Sequence, residues 1–239
     1  MQELYRKDYD GEYVVLNTTV TNGKRVSEKE WIANPIQNQH ISGRAAIIAS
    51  GESRASYDVT KLERHRGGLL GRQKLQTYGT GELHKEMQLD FFITFDDRKL
   101  EECVESGYTS LVTVYTSPSK CIATPGEFYL VPQAMRGNTA LIASWLACFD
   151  GHKEIFLLGF DNQFCKGYYN NIYVDQDSPE KKTNKDDRKM RTMMKLLMQT
   201  YPGVDFYHVS NDDPVPEGWY DCPNFKTMTY PEWVSYCDC

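Results

Sequence analysis

No apolar run in this 239-residue chain is long enough to cross a membrane, TALIASWLACF being typical of the longest. The first residues, MQELYRKDYDGEY, lack the apolar centre of a signal peptide. Both absences predict a cytoplasmic protein. An excess of basic residues is also missing: 27 Lys and Arg stand against 33 Asp and Glu, a formal net charge of −6. Binding to nucleic acid needs clustered cations to neutralise phosphates, so a general nucleic-acid partner is excluded. No Cys-x-x-Cys pair with a nearby histidine completes a tetrahedral metal site. Cys103, Cys121, Cys148 and Cys165 are scattered singly in the manner of reduced thiols, and Cys237 and Cys239 read as a frayed tail with incidental thiols. The chain has no internal repeat, no Walker loop with Gly-Lys-Ser or Gly-Lys-Thr, and no three-glycine dinucleotide fingerprint.

What is present is an alternation of short apolar strands with helical segments. YVVLNTTV (residues 13–20) followed by Asn22-Gly23 reads as a strand and tight turn, and residues 27–42 as an irregular arm. Residues 1–42 are therefore set apart as an N-terminal strand and arm. AAIIAS is a short continuous apolar run of the kind found in a strand covered on both faces. DVTKLERH, with Asp58 as a capping residue, predicts a short helix, and GGLLG a second strand or its entry. LDFFITF, RKLEECVESG and SLVTVYTS then give strand, helix and strand. Residues 117–136, with three prolines, read as a loop.

The segment GNTALIASWLACFDGHKEIFLLGFDNQ carries the strongest fold signal. Asn138 or Thr139 can cap a helix that presents Ala140, Ala143, Ser144 and Ala147 for close approach to a sheet, and Gly151 can end it. IFLLGF follows as a buried strand with Asp161 at its carboxyl end. Residues 162–187 are polar and too long for an ordinary connection, which predicts a lid or binding loop. Apolar spacing from Met190 to Leu197 predicts another helix, VDFYHV a last strand, and TYPEWVSYC a terminal helix. Residues 43–239 are thus expected to form one α/β domain with a doubly wound, mostly parallel sheet and right-handed crossovers.

In such sheets ligands bind beyond the carboxyl ends of the strands, near the point where strand order reverses. That rule selects Ser50, Gly51 and Ser53 after the first core strand, Asp96 and Asp97 after LDFFITF, the helix start Gly137-Asn138-Thr139, and Asp161. The SGES loop lets backbone amides approach a phosphate. Asp96 and Asp97 suit a divalent metal such as Mg beside phosphates, or a ribose; Asp97 is assigned to helix capping and Asp96 to the cleft. Tyr168, Tyr169 and Tyr173 in the lid segment suit stacking or hydroxyl roles. No histidine stands in a triad or at metal-ligand spacing.

GNTALIASWLACFDGHKEIFLLGFD resembles a segment of bacterial sialyltransferases and of the related hydroxymethylpterin pyrophosphokinase-like proteins, where Ser-Gly and a small-residue helix precede Gly-x-Lys-Glu-Ile-Tyr-Leu-x-Gly-x-Asp. IIASGES, GLLGRQ, DFFITFDD and VDFYHVS follow collinearly. The resemblance implies a Rossmann-like fold and a nucleotide-activated donor, such as a cytidine-monophosphate sugar, with inversion at the anomeric carbon. It would place Gly51 and Ser53 near the phosphate or ribose, Arg72 and Gln73 near the base or donor sugar, Asn138 and Thr139 near the donor, and Asp161 below the nucleotide. Tyr168, Tyr169 and Tyr173 would fall in the lid. Three features depart from the pattern: residues 162–207 contain no histidine where those transferases carry a general base, Arg72-Gln73 replaces an Asn-Gln pair, and Gly137-Asn138 stands in place of Ser-Gly. The expected function is a glycosyltransferase-like transferase with Asp96 or Asp161 as acid or base and Arg72 or Arg136 meeting the departing phosphate, with no cofactor required. A non-catalytic binding or structural protein on the same fold is the alternative, and a homo-oligomer stays open.

Overall fold

The computed structural model describes residues 2–6, 12–33, 43–65, 75–131, 137–161, 171–173, 188–211 and 215–238. Three antiparallel strands lead the chain: β1 (Gln2–Arg6), β2 (Glu12–Thr21) and β3 (Lys24–Ala33), in that spatial order. Asn22 and Gly23 both adopt positive φ, 52° and 72°, as a two-residue hairpin turn requires, and the turn pairs Thr21 with Lys24. The arm expected to be irregular from residue 27 is instead strand as far as Ala33.

The second sheet holds eight parallel strands in the order β11-β10-β9-β4-β5-β6-β7-β8. In chain order these are β4 (Arg44–Ile48), β5 (Gln76–Gly79), β6 (Phe91–Ile93), β7 (Thr113–Thr116), β8 (Tyr129–Leu130), β9 (Glu154–Leu158), β10 (Asp205–Val209) and β11 (Phe225–Met228). The helices are α1 (Asp97–Glu105), α2 (Pro118–Ala123), α3 (Thr139–Asp150), α4 (Arg188–Thr200) and α5 (Tyr230–Asp238). The chain builds outward from β4 to β8, then returns through α3 to β9 on the other side of β4. Strand order therefore reverses between β4 and β9. The doubly wound parallel α/β fold follows directly from this topology.

Strand residues alternate between two cores. Ala45, Ile47, Ile155, Leu157 and Phe206 pack under α3 and α4, while Ala46, Ile48, Phe156, Leu158 and Tyr207 pack under α1 and α5. Helix α3 is buried along almost its whole length, and its small residues let it lie close over β4, β5, β6 and β9. Asn224 closes the far end, donating from its amide to the carbonyls of Met198, Tyr201 and Val204 and so satisfying the chain as α4 ends.

Several local expectations change. Residues 117–136 include a helix, begun with Pro118 in its first turn, and a two-residue strand, both short enough to leave little periodicity. The helix expected over 58–65 is a 3-10 helix, Val59–His65, with Asp58 accepting from the Thr60 N–H and hydroxyl at 3.1 and 2.6 Å. VDFYHV is not the last strand: Phe225–Met228 adds an edge whose Lys226 and Thr227 are exposed, so its sequence lacks an apolar run. Cys237 is not in a frayed tail but buried in α5. GGLLG lies outside the described residues.

Candidate functional site

The carboxyl ends of β4 and β9 are joined directly by backbone hydrogen bonds. Ala49 N–H donates to Leu158 O at 2.9 Å, and Gly51 N–H to Gly159 O at 3.0 Å. A Cβ on Gly51 would sit 2.4 Å from Gly159 O and 2.5 Å from Asp161 Cγ, so no larger residue fits between the two turns. Gly159 adopts φ +69°, and a Cβ there would meet Ala49 O at 2.9 Å. The two glycines let the strand ends touch and then part, and a cleft opens above them.

That cleft has a volume of about 280 Å³. Ser50, Gly51 and Asp161 line its floor, Thr80 and Gly81 follow from β5, Thr94 and Asp96 from β6, and Asn138 and Thr139 stand at the start of α3. Lys99, on the first turns of α1, forms part of the wall. Six of the residues selected from sequence therefore meet at one place: Ser50, Gly51, Asp96, Asn138, Thr139 and Asp161. Ser53 and Gly137 adjoin it without lining it. Arg72, Gln73, Arg136, Tyr168 and Tyr169 lie outside the described residues.

Each lining group has a distinct local cause. Asn138 caps α3, its side-chain oxygen accepting from Leu141 N–H at 2.9 Å. Asp96 caps α1, accepting from Lys99 N–H at 3.4 Å, which corrects the assignment of capping to Asp97. Asp97 is the first helical residue and pairs with Lys120 instead, a change that costs nothing because an acid in the first turn favours the helix dipole. Asp161 is 2% exposed; its carboxylate accepts from Ser53 N–H at 2.8 Å and from the Ser53 hydroxyl. It fixes the start of the 3-10 helix Glu52–Ser56.

A second, wider basin of about 650 Å³ joins the cleft, sharing Ser50, Gly81, Lys99 and Asn171. Ile172 N–H donates to Ser50 O at 2.9 Å, and the Tyr173 hydroxyl bonds to Arg54. Arg54 is 2% exposed and also donates to Glu86 at 3.1 and 3.3 Å. Burial, then the Glu86 contact, pushes the Tyr173 hydroxyl far above its ordinary pKa. Sequence reasoning missed Arg54, Glu86 and Lys99. The available signal was positional: Lys99 is the residue whose N–H the helix cap takes, and Arg54 closes the turn after Gly51.

Among the described residues, one cluster has metal-ligand spacing, Glu82, His84 and Glu102, with ligand atoms within 4.8 Å of one another. It does not fit a divalent cation. Lys85, Arg98 and Lys99 approach Glu82 at 3.0, 2.9 and 3.1 Å, and Lys85 reaches Glu102 at 2.9 Å. Hydrogen bonds from Lys85 and His84 hold Glu102 down to about 2. Bound ammonium and guanidinium groups already supply the charge that a metal would bring.

No histidine lines the cleft among the described residues. His208, on β10, lies behind its floor at 2% exposure, hydrogen-bonded to the Phe160 backbone, and burial lowers its pKa to about 4.

No family model matches this sequence, and no curated protein matches it. The structure is similar to that of a mutant of the alpha-2,3/8-sialyltransferase CstII, with a TM-score of 0.43 and 11% identity over 69% of this chain and 80% of that one. Among the described residues no helix is long and apolar enough to cross a membrane.

Proposed function

We propose that the protein is a transferase that uses a nucleotide-activated donor, of the glycosyltransferase kind. The observation that carries this reading is the cleft itself. It lies at the reversal of strand order, it is floored by backbone at two glycine turns, and a capped helix start and a lysine stand beside it. The first-turn N–H groups of α3 at Thr139 and Ala140, which have no intrahelical partner, and the dipole of that helix favour a phosphate, and the sheet edge leaves room for a nucleoside.

In the proposed reaction an acceptor hydroxyl oxygen forms a bond to the donor carbon while the bond from that carbon to the phosphate oxygen breaks. The phosphate leaves with the bonding electron pair, and the hydroxyl proton passes to a carboxylate. Of the two candidate acids, Asp96 is the better placed to accept it, being exposed in the cleft, whereas Asp161 is committed to two Ser53 hydrogen bonds. The cations beside the cleft make a metal unnecessary, so a chelator is expected to leave transfer unchanged; a loss of rate reversed by Mg would show that this part is wrong.

The burial of His208 and the commitment of Asp161 favour the second reading, a binding protein that holds a nucleotide without turnover. Thermal shift with nucleotides and nucleotide sugars tests the shared part. A ligand that binds only the folded state raises the melting temperature, by about 2.7 kcal/mol of stability at a hundred times its Kd. If no nucleotide raises it at millimolar concentration, both readings fall. Donor turnover then separates the transferase from the binder.

A further inference from the structure

The cations beside the cleft are arranged unevenly. Lys85, Arg98 and Lys99 all converge on Glu82, and Lys85 and Arg98 also reach Glu102, Arg98 at 3.8 Å. Three positive charges thus face two carboxylates, with Glu82 as the shared partner. Burial alone would raise the Glu82 pKa, yet the hydrogen bonds from Lys85 and Lys99 lower it, so the carboxylate is held ionised. Among the described residues Lys99 forms an ion pair with Glu82 alone, which makes it the cation that the cluster holds by a single carboxylate. It is also the least exposed of the three, at 17%, and it lines both the inner cleft and the outer basin.

We propose that Lys99 is the phosphate-binding residue of this site: its ammonium turns from Glu82 to the ligand phosphate at the junction of the two cavities, with the nucleoside inside and the acceptor in the outer basin. The inference rests on the nucleotide reading given above. Glu82 keeps Lys85 and Arg98 when Lys99 leaves, so the movement strands no carboxylate. An ammonium on a flexible stem suits a phosphate that must be gripped and then released. Asp96, one turn earlier on the same helix, faces the inner cleft and is left to take the proton.

The test compares each nucleoside with its 5′-monophosphate, using cytidine, uridine, adenosine and guanosine, by calorimetry on the full chain. Wild type is expected to bind one monophosphate at least about tenfold more tightly than its nucleoside, the size of a single charge-assisted hydrogen bond. Lys99→Met is expected to abolish that advantage while leaving nucleoside affinity unchanged, and Lys99→Arg to keep most of it. Glu82→Gln, which frees Lys99, is expected to tighten the monophosphate, and the gain to vanish in Glu82→Gln with Lys99→Met. If Lys99→Met weakens nucleoside and monophosphate equally, or leaves their ratio intact, the assignment is overturned while the nucleotide cleft stands. If wild type binds none of the eight compounds, the assignment and the nucleotide reading fall together.

Discussion

At the amino edge of the parallel sheet the polar groups are spent on one another. The Tyr78 hydroxyl donates to Asp150 at 2.6 Å and lies 3.0 Å from His152 Nε2, with all three residues buried. Thr77 and Asp90 exchange hydrogen bonds of 2.8, 3.0 and 2.9 Å, and Arg44 pairs with Glu154 at 2.8 Å while stacking on Tyr236. At the carboxyl edge, 3-10 turns and glycines hold the backbone together, and several polar side chains border open space instead. Closed networks stabilise; open ones can meet a ligand. The same strands thus serve as a foundation at one end and a platform at the other.

The sharpest way to break this contrast is at Asp96, the carboxylate that borders the cleft without being enclosed. Asn caps a helix as well as Asp does, so on the proposed transferase reading Asp96→Asn is expected to keep stability while slowing transfer by about 100-fold or more, the usual contribution of a positioned base. Equal rates in the two proteins would move the proton elsewhere. Gly51→Ala attacks the platform itself. Its Cβ would fall 2.4 Å from a backbone oxygen that cannot move without Gly159, and a stability loss of about 3 kcal/mol is expected in denaturant unfolding, together with loss of nucleotide binding. A fully stable variant would show that the two turns have slack.

His208 gives a third probe, from beneath the platform. Its pKa is about 4 in the fold, lowered by burial, against about 6.5 unfolded. The unfolded chain binds the proton first as pH falls, so the stabilisation is complete above pH ~6.5 and is lost as pH falls towards ~4. About 2 kcal/mol should disappear by pH ~5, before carboxylates titrate. His208→Leu is expected to flatten this part of the pH profile; an unchanged slope would assign it to another histidine.

These probes also mark what could be read in advance. The α3–β9 unit was legible because its apolar residues are continuous and its ends carry Asn138 and Gly151, signals that need no partner to interpret. That Ser50, Gly51, Asp96, Asn138, Thr139 and Asp161 border one cleft followed from one rule about strand ends. The β5 strand was hidden because Gln76 and Thr77 are polar residues buried by tertiary contacts, Thr77 through Asp90. The Lys99–Glu82 cluster was hidden for the same reason, since the two residues come from different turns around β6. Asp161 was visible as an acid, but its engagement by Ser53 depends on a loop 108 residues away in sequence.

The smallest effect is expected at the amino edge, from Tyr78→Phe. The change removes one hydroxyl and almost no volume, so no cavity opens, and the cost comes from Asp150 and His152 losing a shared partner in a buried place. A loss of about 1–2 kcal/mol in unfolding free energy is expected on that account. The Tyr78 proton is held tightly, burial and then Asp150 raising its pKa well above the ordinary value, so wild type should show no titration of this group at neutral pH. On the proposed nucleotide reading, affinity for the ligand should not change, because α3 carries the altered contacts at its C-terminal end and the cleft at its N-terminal start. A weakened affinity would mean that α3 couples the two edges as a rigid rod, and the division between foundation and platform would have to be abandoned.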